Sequence, residues 1–151
     1  MKKKYLLFLA AVLAWSSPAL AHDEGHGPQL TDTGNYGGVI TAVVESKNAS
    51  QGKKAPLVYK AELSRSEDGT VRVYIYDQAM KPLPAGTLEN NAKANVISPK
   101  GGSFKTEPFS LNLEGQAYTG KAPQASGKPF SIDVTFKTKT QELLAAFDNL
   151  D

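Results

Sequence analysis

The chain has 151 residues, 17 Lys and Arg against 15 Asp and Glu, 40% hydrophobic residues and no cysteine. Lack of cysteine excludes disulfides, thiolate metal sites, cysteine nucleophiles and thiol redox chemistry. The small excess of positive charge sits at the extreme N-terminus, so it carries no information about a binding surface.

That N-terminus reads Met1-Lys2-Lys3-Lys4, then an apolar run from Tyr5 to Trp15, then Ser16-Ser17-Pro18-Ala19-Leu20-Ala21. A basic start, an apolar stretch too short to span a bilayer and a small-x-small end read as a Sec-type signal peptide, residues 1–21, with cleavage after Ala21. With no cysteine after the apolar run, a lipid-modified N-terminus is excluded. Cleavage removes three of the 17 basic residues and none of the 15 acidic ones, leaving a balance of −1. Neither nucleic acid nor an anionic membrane surface is then implied. The expected product is a soluble periplasmic protein with no membrane insertion after cleavage, long enough for one domain that buries roughly two-thirds of its unfolded surface.

Residues 22–36 show no hydrophobic periodicity, and Gly25, Gly27, Pro28 and Gly34 oppose regular structure, so this stretch reads as a flexible arm. A single domain is expected over 37–151. Gly37-Gly38 opens onto Val39-Ile40-Thr41-Ala42-Val43-Val44, a β-branched first strand. Ser46 to Pro56 is polar and reads as a loop. Leu57 to Leu63 alternates, with Tyr59, Ala61 and Leu63 on one face and Lys60 and Glu62 on the other. The turn signal Ser66-Glu67-Asp68-Gly69 leads into Val71 to Asp77, the clearest hairpin. After Lys81 to Gly86 come a weaker strand, Ala92 to Ser98, then Phe109 to Glu114 turning at Gly115-Gln116 into Ala117 to Lys121. A Pro/Gly/Ser-rich loop precedes Phe130 to Phe136. Residues 141–147 fit a helix or a closing strand, and the short connection from Lys137 to Thr140 favours the strand. Seven to eight short strands predict an all-β, antiparallel immunoglobulin-like sandwich, with a closed β-barrel as the alternative.

No catalytic motif stands out, and the chain does not read as an enzyme. Glu62, Asp68, Asp77 and Asp133 read as solvent-facing or turn acids. Both histidines, His22 and His26, fall in the arm. Cleavage after Ala21 would make His22 N-terminal, so its α-amine and imidazole could chelate one ion, with His26 adding a second imidazole and Asp23 and Glu24 adding oxygens. This nitrogen and oxygen set suits Cu(II) first, then Zn(II) or Ni(II). The competing reading is a hydrophilic spacer that aids export.

His26-Gly27-Pro28, Tyr36-Gly37-Gly38 and Val71 to Asp77 followed by Lys81-Pro82-Leu83 together resemble small exported β-sandwich proteins associated with bacterial heavy-metal and copper efflux. That family often has a histidine before the Gly-Gly pair, where this chain has Tyr36. The resemblance implies a metal-homeostasis accessory whose partner is a periplasmic efflux component. A separate alternative is a metal-independent protein-interaction module, using Arg72, Tyr74 and Tyr76 on one strand face, since Tyr and Arg are enriched at interfaces. Intact-mass measurement of the exported protein should give a chain beginning at His22; any other start removes the proposed amine ligand.

Overall fold

The computed structural model describes residues 26–151. Its strands are β1 (Val39–Glu45), β2 (Tyr59–Arg65), β3 (Thr70–Tyr76), β4 (Asn91–Lys100), β5 (Ser103–Glu114), β6 (Ala117–Lys121), β7 (Phe130–Lys137) and β8 (Glu142–Leu150). A 3₁₀ segment, Ser46–Lys54, occupies what reads as a loop between β1 and β2 and is kinked at Gly52, whose φ is 56°. From Glu142 onward the stretch 141–147 is strand, as part of β8, and β4 and β5 run further toward their shared Gly101-Gly102 turn than the alternation suggests.

All pairings are antiparallel, and the strands close in the order β1-β2-β3-β6-β5-β4-β7-β8. The fold is therefore the eight-stranded barrel, and the preference for a sandwich is corrected: β1 pairs with β2 on one side and β8 on the other, leaving no gap between two sheets. β4, β5 and β6 form a meander and β7 returns beside β4, a Greek-key arrangement.

Alternation decides what fills the barrel. Ala61 and Leu63 of β2, Val71, Val73 and Ile75 of β3, and Leu143, Ala145 and Phe147 of β8 all join the core cluster. Tyr118, Phe136, Phe147, Leu63, Leu111 and Ile132 are among the largest fully buried side chains. A barrel of eight strands is just wide enough to be filled this way. Tyr118 meets Phe136 at 5.7 Å between ring centroids and donates its hydroxyl to the Glu89 carbonyl at 2.6 Å, so its one polar atom is satisfied.

Two places depart from a regular barrel. β5 pairs with β6 only over Asn112–Glu114, so its first half is an edge; Pro108 and the ion-paired Lys105 and Glu107 there blunt strand addition. The β1/β8 seam is paired only from Val43 to Glu45, and beyond it the Thr41 hydroxyl donates to the Ala146 carbonyl at 2.7 Å. Past Phe147, β8 carries one extra residue against β7, with Asn149 at φ 56°, a bulge that bends the strand away from β1. Phe147→Ala should lower unfolding free energy by about 3–5 kcal/mol, measured by urea denaturation, because the filled interior cannot collapse onto the void.

Candidate functional site

Residues 26–38 contain no helix or strand, yet they are tied to the barrel at three points. At the start, the Gly27 N–H donates to the Gly52 carbonyl at 2.8 Å, and Gly27 lies against the outward side chains of Ala42 and Val44. In the middle, the Lys60 ammonium meets both carboxylate oxygens of Asp32 at 2.8 Å. At the end, Asn35, Tyr36 and Gly38 all donate backbone N–H groups to Glu62, each at 2.8 Å. This part of the expected flexible arm is a strap, and hydrogen bonds rather than periodicity hold it.

Of the four expected metal ligands, His22, Asp23 and Glu24 lie outside the described residues. His26 is held against the 3₁₀ segment that follows β1. Its Nδ1 is 2.8 Å from the Ala49 carbonyl oxygen, which can only accept, so Nδ1 carries the proton and the lone pair of the neutral ring sits on Nε2. Among the described residues Nε2 has no partner. His26 lines a cleft of about 410 Å³ over the open part of the β1/β8 seam, together with Gln29, Thr41, Lys53, Asp148 and Asn149. The β8 bulge brings Asp148 there, an acid the sequence reading did not single out. Among the described residues no three His, Cys, Asp or Glu converge as a metal-binding group. A metal at this cleft would therefore need donors from His22 to Glu24 as well.

Arg72, Tyr74 and Tyr76 do share the outward face of β3, but only part of that surface is open. Tyr76 is 2% exposed, and its hydroxyl donates to Glu62 at 2.8 Å, which removes it from any interaction surface. Tyr74 is covered by Tyr36, whose ring stacks on it at 4.0 Å and 14°. Tyr36 is 55% exposed and presents the outermost ring. Arg72 stays exposed.

Glu62 is the other correction. Period-two reading places it outward, which is right, and makes it solvent-facing, which is wrong: the strap and Tyr76 cover it completely, at 0% exposure. Four donors satisfy its carboxylate, three N–H groups and one phenol, so the buried charge is compensated. A Cβ on Gly34 would collide with that carboxylate, which is why a glycine is needed at this step of the strap. The available sequence signal was the cross-strand placement of Glu62 beside Tyr74 and Tyr76 downstream of a glycine-rich segment.

Comparison with protein-family profiles, with curated proteins and with solved structures gives no match.

Burial, with the bond to the Glu62 carboxylate and its charge, pushes the Tyr76 phenol well above its ordinary value, and burial pushes Tyr118 up to about 12. Both phenols stay protonated in the fold while the unfolded chain ionises near pH 10. Their contribution to stability is fully present below that pH and is lost as pH rises through the folded values. Alkaline titration followed by tyrosinate absorbance and circular dichroism should show these two tyrosines ionising together with loss of structure. Tyr76→Phe should remove one of the two late-ionising groups.

Proposed function

We propose that this chain is an exported, periplasmic metal-binding protein that takes one divalent transition ion at its N-terminal segment, and acts as a carrier or efflux accessory rather than an enzyme. Copper(II) is the preferred ion, with zinc(II) or nickel(II) behind it. The observation that carries this reading is the His26 ring. One nitrogen is fixed on the Ala49 carbonyl, as ligand imidazoles commonly are, the other has no partner among the described residues, and His26 lines a cleft together with Asp148.

His22 precedes His26 by four residues, a chain length of at most about 14 Å. A ring and an amine at residue 22 would thus stay within reach of the His26 Nε2. Ring and amine nitrogens with carboxylate oxygens from Asp23, Glu24 and Asp148 form a donor set suited to Cu(II) and poorly suited to Cu(I), since Met80 supplies the sole sulfur after Ala21. Fixing His26 in advance reduces the entropy lost on chelation. The resemblance to copper-efflux-associated proteins suggests an efflux component as the recipient.

The test is calorimetric titration of Cu(II) into natively exported protein, beside a form with extra residues before His22 and beside His26→Ala. Expected are one equivalent bound, at least about tenfold weaker binding in both altered forms, and weakening as pH falls through the imidazole and amine range, where protons compete. Equal, weak uptake by all three forms would overturn the proposal.

A further inference from the structure

The outward face of β2, β3, β6 and β5 carries a second set of side chains that neither the fold nor the metal reading uses. Strand register places Ser64 opposite Arg72, Arg72 opposite Thr119, and Thr119 opposite Asn112. The four residues thus form one straight cross-strand row over three strand spacings, about 14 Å. Among the described residues, none of these four side chains makes a hydrogen bond or ion pair. The adjacent row holds Glu62, Tyr74, Ala117 and Glu114, and Tyr36, which is 55% exposed, is stacked on the Tyr74 of that row.

We propose that this face binds an acidic oligosaccharide. A sugar ring has an apolar C–H face and a rim of hydroxyls, and this surface offers a matching pair: one open aromatic ring, and beside it a line of hydroxyl, amide and guanidinium groups. The aromatic area exposed is a single ring, and its neighbours in the row are small and polar. That is a poor match to the desolvated apolar centre of a protein interface. The row itself has no carboxylate. Glu62 in the next row has its oxygens filled by four donors, and Glu114 stands at the far, β5 end of that row. Arg72 is therefore a cation without an ion-pair partner among the described residues, and its planar fork suits a carboxylate on the sugar.

Tyr36 ties the strap to Glu62 through its backbone N–H, so its side chain can be changed without breaking that bond. This makes the face separable from the fold. The experiment is an NMR titration of the isotope-labelled exported protein, with no metal added, using tri-galacturonate as the probe and maltotriose as the neutral control. Expected are amide shifts confined to Arg72, Thr119, Asn112 and the Tyr36 segment, and affinity for tri-galacturonate at least about tenfold above that for maltotriose. Tyr36→Ala and Arg72→Ala should each weaken binding about tenfold or more with the spectrum otherwise folded, and Tyr36→Trp should retain it. No shifts on this face, equal affinity for the two sugars, binding insensitive to both substitutions, or occupation of the face by a protein partner alone would overturn the proposal.

Discussion

A carboxylate with no solvent exposure sets the terms for the surface of this protein. Glu62 projects outward from β2, where charge is ordinarily free to hydrate, yet three backbone N–H groups and the Tyr76 hydroxyl replace its water. An ion buried without such partners would be prohibitive, and with all four it becomes an anchor whose loss leaves several donors orphaned at once. Because three of those donors are backbone groups, the anchor specifies the path of the chain through Asn35, Tyr36 and Gly38. It places few demands on the side chains there, apart from the need for glycine where the strap passes closest.

The strap gives the two candidate surfaces a common support. His26 brings an imidazole to the β1/β8 cleft, and Tyr36, further along, lies over Tyr74 on the opposite flank of β2. Between them the Asp32–Lys60 pair fixes the span. A metal reading at one end and a saccharide reading at the other use different side chains and different chemistry, so neither depends on the other.

The barrel itself contributes position rather than chemistry. Its interior is filled by aromatic and aliphatic side chains, leaving ligand chemistry to the outside and to the irregularities. The bulge in β8 is one such irregularity. By bending the strand off its neighbour it opens the seam, puts Asp148 in the cleft wall, and leaves the Thr41 hydroxyl to bond a carbonyl that a longer β1/β8 ladder would have served.

Strand identity was legible in the sequence because alternation is local: Val71, Val73 and Ile75, or Leu143, Ala145 and Phe147, declare which side faces the core whatever the global topology. The turns at Asp68-Gly69 and Gly115-Gln116 were legible for the same reason. The choice between sandwich and barrel was not, since it rests on whether β1 meets β8, a pairing between Val43 and Ala145 that leaves no trace in either strand's own pattern. The sequence also placed both histidines ahead of the first strand and Arg72 and Tyr74 on one face. Only the tertiary structure fixed the His26 ring on Ala49, withdrew Tyr76, laid Tyr36 over Tyr74 and brought Asp148 to the cleft. The physical reason is the same throughout: periodicity tells which way a side chain points, but exposure depends on what crosses over it, and here that is a segment with no periodicity of its own.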